Sequence, residues 1–282
     1  MDTDGFTEIA DLALRKNGHS FRPAQRYVLE ARLGDIIRRE GFANLDGLAH
    51  CLKARPNREL EAEVVAALPA KQSSFFKDRG LLERIVHQVL PGISEKSDAQ
   101  RLRILCAGGG TGQEAYSLAL LQSELERGQA NRKPVDIVSV DLCRDATRKG
   151  RDGVFNHFEV QNGLSIFQLL DHFERQSDGS WQVNPDLRER IGFRVHNLME
   201  DLTGLGEFDI ILCRNVISTM ARGVGRDVAE RLARQLSPHG ALFLGSEESI
   251  QMDNHYSLRL SRTIRGAYEA VRAGDDKVSV AS

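Results

Sequence analysis

Apolar positions recur at three- and four-residue spacing through the first ninety residues, and after residue 100 they come as unbroken runs. In "FRPAQRYVLEARLGDIIRRE", Leu29, Leu33, Ile36 and Ile37 fall on one face at the helical period. Pro23, Pro56, Pro69 and scattered glycines punctuate this half, and no strand-like run interrupts it. It predicts an all-helical N-terminal domain over residues 1–90, with "PGISEKSDAQ" (91–100) as a polar connection. Beyond it, "LRILCAG", "VDIVSVDLC", "GFRVHNL", "FDIILCRN" and "GALFLGS" are continuous rather than alternating. Strands buried on both faces read that way, so residues 91–282 predict an α/β domain around a parallel sheet. Leu118, Leu121 and Leu125 at i, i+3 and i+7 mark a helix packing back on it. "SLRLSR" and "GAYEAV" fit a closing antiparallel hairpin.

Composition changes this picture little. The chain has 282 residues, 41% hydrophobic and 28% charged, enough for one large domain and a smaller one. A net charge of -2 provides no global basic field for nucleic acid. Cys51, Cys106, Cys143 and Cys213 are scattered without metal-ligand spacing and read as reduced core residues. The acidic "MDTDGFTEIADLALRK" start is unlike a signal peptide, and no apolar run approaches the ~20 residues of a membrane helix. A cytoplasmic, monomeric protein without membrane insertion is expected. Charge is uneven locally: from Arg15 to Arg39 there are seven Lys/Arg against Glu30 and Asp35. Arg22, Arg26, Arg32, Arg38 and Arg39 form either a solvated face or a docking surface for an acidic partner.

The chemistry concentrates in "ILCAGGGTGQEAYSLAL", residues 104–120. Gly108, Gly110 and Gly112 lie between the first strand and its helix, where open parallel sheets bind nucleoside-like ligands. Tight turns also need glycine without any ligand, so the motif alone decides nothing. A dinucleotide would place its pyrophosphate at the helix start. Gln113 stands where the third glycine of that fingerprint belongs, and the Glu114 carboxylate would repel phosphate. S-adenosylmethionine carries no phosphate and bears two cationic centres that a carboxylate stabilises. Asp141, ending the second strand, suits ribose hydroxyls in either cofactor.

These segments, followed by "SVDLC", "FRVHNLMEDL", "FDIILCRNVI" and "LSPHGALFLGSEES", resemble the CheR-type chemoreceptor methyltransferases in order and spacing. The helical first half and "SSFFKDRGLLERIVHQVLP" resemble that family's N-terminal domain and linker. The resemblance implies a Rossmann-like S-adenosylmethionine-dependent methyltransferase sheet with a small all-α N-terminal domain. It implies methyl transfer to glutamate side chains in the cytoplasmic domain of a chemoreceptor, giving γ-methyl esters and S-adenosylhomocysteine. By position, Ala107, Gln113 and Glu114 would line the methionine end of the cofactor, and Ser73, Lys77 and Gly108 would also contact the cofactor. Asp141 would meet the ribose, Asn197 and Leu198 the adenine, and Arg214 with Asn215 the floor. Lys77, Arg214 and Thr219 would border the methyl-transfer centre, and Arg32 with its neighbours would face the receptor. Residues 153–192 would match a small β-containing insertion that grips a receptor-tail peptide in some members, though only "GSWQVN" looks strand-like.

Four positions depart from the family pattern. The family's FFRD reads "FFKD", exchanging arginine's planar fork for the mobile point charge of Lys77. RNVxIYF reads "RNVISTM", so Thr219 replaces a tyrosine over the transfer site. Gln113 replaces the first glutamate of GEE, and Cys143 the second acid of DxD. Three readings therefore stand: an active receptor methyltransferase, a relative that binds the cofactor or its product as a regulatory interaction module, and a methyltransferase with another acceptor.

Overall fold

A computed structural model describes residues 4–55, 57–69, 73–127, 133–250 and 257–271. The chain divides into two compact units: Met1–Lys71 with Val216–Asp227, and Gln72–Asn215 with Val228–Ser282.

The first unit carries helices α1 (Gly5–Asn17), α2 (Arg26–Arg39), α3 (Leu45–Ala54) and α4 (Arg58–Ala67). The starts of α1, α3 and α4 are set by side-chain caps: Asp4, Asn44 and Asn57 accept from otherwise orphaned first-turn amides. Gly18 ends α1 in the left-handed conformation, which glycine adopts without steric cost. The amphipathic pattern of α2 holds, with Leu29, Leu33, Ile36 and Ile37 all buried.

The second unit begins with α5 (Arg79–Arg84), a wider π turn over Ile85–Val89, and α6 (Leu90–Lys96). This is one difference from the sequence reading, which places a polar connection at 91–100. Pro91 follows the π turn directly, inside a helical stretch that continues without a break. The preceding π turn, with the Leu90 amide on the Ile85 carbonyl, eases the usual proline clash with the carbonyl four residues back. The expected domain boundary near residue 90 thus falls inside a helical stretch that runs to Lys96.

The sheet follows: β1 (Leu102–Ala107), α7 (Gln113–Glu126), β2 (Val135–Asp141) and α8 (Arg144–Asp152). An insertion carries β3 (Val154–Phe155), α9 (His157–Gln161), α10 (Ile166–His172), β4 (Phe173–Arg175), β5 (Trp181–Val183) and α11 (Pro185–Arg188). Then come β6 (Ile191–Val195), β7 (Phe208–Cys213), α12 (Arg222–Ala233), β8 (Leu236–Leu244), β9 (Leu258–Leu260) and β10 (Tyr268–Ala270). The main sheet runs β6-β2-β1-β7-β8-β10-β9, parallel from β6 to β8, with β9 and β10 closing it as the expected antiparallel hairpin. A separate sheet, β3-β5-β4, is antiparallel. "GSWQVN" supplies its central strand, and its partners were not legible because strands of two and three residues have no period to read.

Every residue of β7 is buried, as an unbroken apolar strand requires. Leu118, Leu120 and Leu121 of α7 are almost fully buried, each contributing ~1.5–3 kcal/mol of hydrophobic burial. The four cysteines are free thiols, with Cys106 and Cys213 in the core. Among the described residues no cluster suits a metal ion, and no helix is long and apolar enough to cross a membrane.

Candidate active site

The β1–α7 loop turns through Gly108, Gly110 and Gly112, whose φ angles of 74°, 55° and 89° favour glycine. Packing is as demanding as conformation. A Cβ on Gly112 would lie 2.7 Å from the Phe193 ring, and one on Gly109 2.1 Å from Ser139 Oγ. At Gly110 the nearest atom would be Ser73 Cβ at 3.9 Å, so the loop is open on the side that Ser73 borders.

The loop amides decide which ligand suits it. Gly108 and Gly109 both donate to the Val140 carbonyl, Gly112 to the Gly109 carbonyl, and Gly110 to Asp141 Oδ2 at 2.8 Å. A pyrophosphate cradle needs such donors free, and these four are used within the protein. Glu114 adds a carboxylate in the first turn of α7. A cationic ligand without phosphate fits these donors and acids; a dinucleotide does not.

Asp141 closes β2 and is held from both sides, since the Cys143 amide donates to its Oδ1 at 2.8 Å. Cys143, where the resemblance leads one to expect an acid, thus contributes its backbone. Asp141 pairs in register with Val195, which brings Asn197 and Leu198 to the same sheet edge. Leu198 is buried, and Asn197 turns the chain by accepting from the Met199 amide at 3.0 Å. Gln113 is buried, and its side-chain oxygen accepts from the Thr111 hydroxyl.

Arg214 organises the other wall. Its side chain is only 3% exposed, and Nη1 lies 2.5 Å from Glu114 Oε2 and 3.2 Å from the Lys77 carbonyl. Nη2 pairs with Asp78. Burial pushes the Glu114 carboxyl above its ordinary range, against the opposing pull of Arg214. Phe76, Asp78 and Asn215 are the non-glycine residues with positive φ among those described, at 50°, 55° and 59°. Asp78 pairs with this guanidinium, Asn215 follows Arg214 in sequence, and Phe76 precedes Lys77, whose carbonyl Arg214 binds. Such backbone costs about 1–3 kcal/mol per residue and persists only where its surroundings enforce it. Arg214, fixed to the backbone of one strained turn and opening the other, is that enforcement. The "SSFFKD" turn is also held by the Phe76 amide on Ser117 Oγ at 2.8 Å and by Gly163, whose Cβ would fall 1.9 Å from the Phe75 carbonyl oxygen. The Lys77 side chain is exposed, and its charge favours the ionised form of Glu114.

Two acids were missed by sequence reasoning. Asp78, the last residue of "FFKD", pairs with Arg214 opposite Glu114. Glu248, in "GSEES" after β8, accepts from the Asn215 amide at 2.6 Å and the Gly245 amide at 2.8 Å. It thereby fixes the strained Asn215. An acid beyond the carboxyl end of a core strand was the available signal, and it is a weak one.

Thr219 is placed with the helical unit. Gly18 O accepts from the Ala221 amide and Thr219 O from the Ser20 amide, so the segment 216–227 pairs with the chain after α1. The Thr219 hydroxyl lies 3.0 Å from His19 Nε2 and 2.7 Å from the Val216 carbonyl. His19 Nδ1 faces only oxygens of Asn17, which places the hydrogen there in the neutral ring, and the single Thr219 hydroxyl hydrogen serves either the Val216 carbonyl or Nε2. Burial holds this imidazole below its ordinary pKa.

The arginines of the proposed docking face are mostly paired. Arg26 bonds Asp4, Glu30 and Asp46, Arg39 bonds Glu40 and Glu63, and Arg38 bonds Asp35. Arg32 donates to the Leu68 carbonyl and lies over the Phe21 ring. Arg22 is exposed. Acids from outside the sequence window therefore temper its basic field.

Comparison with known proteins settles the family. The model of the CheR methyltransferase SAM binding domain matches residues 71–265, and that of the CheR methyltransferase all-alpha domain matches residues 4–68. The chain belongs to the CheR methyltransferase family. It is 32% identical over 238 residues to chemotaxis protein methyltransferase 1 of Pseudomonas aeruginosa, covering 83% of this chain and 86% of that protein. Chemotaxis protein methyltransferase Cher2 of Pseudomonas putida is 30% identical over 237 residues, with the same coverage of 83% and 86%. Among solved structures, PKMT2 from Rickettsia typhi aligns over 62% of this chain and 26% of its own, at 16% identity and a TM-score of 0.37, too distant to bear on function. This CheR chain is thus a methyltransferase, and its cofactor is S-adenosylmethionine.

Proposed function

We propose that this protein methylates glutamate side chains in the cytoplasmic domain of a chemoreceptor, forming γ-methyl esters and releasing S-adenosylhomocysteine. The observation that carries the reading is the buried Arg214, held between Glu114 and Asp78 beside the glycine loop that Asp141 closes.

Asp141 suits ribose hydroxyls, because a strand-end carboxylate retains acceptor capacity beyond the two amides it holds. Asn197 and Leu198 suit the adenine, one with an amide edge and the other with an apolar face. Ala107, Gly108, Gln113, Glu114 and Ser73 suit the methionine end, where Glu114 offsets positive charge. When bound, the cofactor supplies an electrophilic methyl group on a sulfonium. A glutamate substrate is already ionised at pH 7, so no general base is needed. What remains for the chain is alignment and exclusion of water, and well-held reactants reach effective molarities of about 10⁵ M or more. Arg214 holds the Lys77 carbonyl and the Asp78 carboxylate, and Lys77 offers an exposed cation to the incoming carboxylate. Arg22, Arg26, Arg32, Arg38 and Arg39 serve as the receptor-facing surface.

The test is transfer of radiolabelled methyl from the cofactor to receptor-containing membranes, with base-labile release of methanol identifying the ester. Incorporation that disappears with Asp141→Ala supports the reading. Cofactor binding without incorporation into any receptor would favour the regulatory module. That second reading draws on Thr219, whose hydroxyl is engaged with His19 and Val216 in place of a tyrosine.

A further inference from the structure

At the opposite ends of the strands from the glycine loop lies a second cavity, of about 580 Å³. It is an open cleft bordered by α5, the π turn and α6, by the first residues of β8, and by the hairpin β9–β10. Pro238, His239 and Gly240 border it, whereas Gly245 and Glu248 of the active site follow the far end of β8. At ~3.3 Å per residue, seven residues of strand put the two sites roughly 20 Å apart.

The lining is strongly one-signed. Arg84, Lys96, Arg259 and Arg265 contribute cations, His239 a titratable ring, and Glu269 the one carboxylate. That carboxylate is already paired with Arg259 at 2.8 Å. Arg84 is more telling: its Nε is buried and has no hydrogen-bond partner among the described residues. A buried donor on a permanent charge costs free energy unless an acceptor meets it, and no protein carboxylate or carbonyl does so here. Val89, Ile93 and Ile264 add an apolar wall. A volume within the ~300–1,000 Å³ of small-molecule sites, four cations against one paired carboxylate and an apolar wall together describe a phosphate-bearing ligand with a ring system.

We infer that this cavity is a second binding site, distinct from the cofactor site, for a nucleotide-sized small molecule carrying two or more phosphates. The phosphates would meet Arg84, Arg265 and Lys96, and the ring would lie on Val89, Ile93 and Ile264. Nothing in methyl transfer requires these residues, so the site offers the methyltransferase a second chemical input.

The experiment is calorimetric titration of the full chain with pyrophosphate, ATP and GTP, without magnesium and with S-adenosylhomocysteine saturating the cofactor site. Saturable one-to-one binding of a nucleotide is expected, at least about tenfold weaker in Arg84→Gln and in Arg265→Glu, because each removes a charge-assisted contact. S-adenosylhomocysteine affinity should stay unchanged in both. Arg265 is exposed, so its variant decides the matter if Arg84→Gln fails to fold. The inference is overturned if no nucleotide binds saturably, if binding survives both variants, or if S-adenosylhomocysteine displaces it.

Discussion

The two units use arginine in opposite ways. In the helical unit Arg26 and Arg39 are exposed and each meets two or more carboxylates at the surface, where water already screens the charge. In the α/β unit Arg214 is buried, and its two carboxylate partners are the means by which its charge is tolerated at all. The first arrangement can be dismantled one pair at a time with little consequence for folding. The second is all-or-none, because removing any member leaves a desolvated charge and releases strained backbone. Catalytic precision calls for the second kind, and reversible contact with a partner for the first.

Arg214→Ala tests the contrast most severely. It strands Glu114 and frees the Phe76–Asp78 turn, so denaturant titration should show a loss of about 3–5 kcal/mol and methyl transfer should fall to background. Arg214→Met combined with Glu114→Gln should recover much of the stability without the activity, which separates folding from function. Asp141→Ala comes next. Calorimetry should show S-adenosylhomocysteine binding weakened about 10- to 100-fold, the range for lost hydrogen bonds to a charged group. Glu248→Gln keeps the shape and removes the charge at the Asn215 amide. We expect a several-fold drop in kcat/KM, with the cofactor Kd moved less than in Asp141→Ala.

The helical unit supplies the smaller effects. His19 is buried with its pKa below the ordinary 6.5, so the unfolded chain binds more protons than the folded one below that value. Stability contributed by neutral His19 is therefore complete above about pH 6.5 and declines as pH falls below it. Thermal melts from pH 7.5 down to about 5.5 should show this slope, and His19→Gln should flatten it. Smallest of all, Arg26→Ala and Arg39→Ala should leave the melting temperature almost unmoved while weakening receptor binding in a salt-dependent way.

What could be read from sequence follows from how far each signal travels along the chain. The parallel strands were legible because burial on both faces leaves unbroken apolar runs, and α2 because four apolar residues share a face. Pro91 misled, since a proline marks a break unless it opens a helix, and only the structure reveals the π turn that accommodates it. Motif order implied that the glycine loop, Asp141, Asn197 and Arg214 share one sheet edge, and the parallel strands place them there. Glu248 and Asp78 were not legible, because a single acid has no periodicity and its partner lies tens of residues away. The basic face was overestimated for the same reason: Asp4, Asp46 and Glu63 reach Arg26 and Arg39 from outside the counted window.

The segment Val216–Asp227 lies within the matched cofactor-binding region in sequence, yet it folds with Met1–Lys71. Exchanging the helical domain between relatives by a single crossover near residue 70 would leave Ser20 and Gly18 facing a foreign strand. A workable chimera must carry both pieces from one parent, because the helical unit is built from two separate stretches of chain.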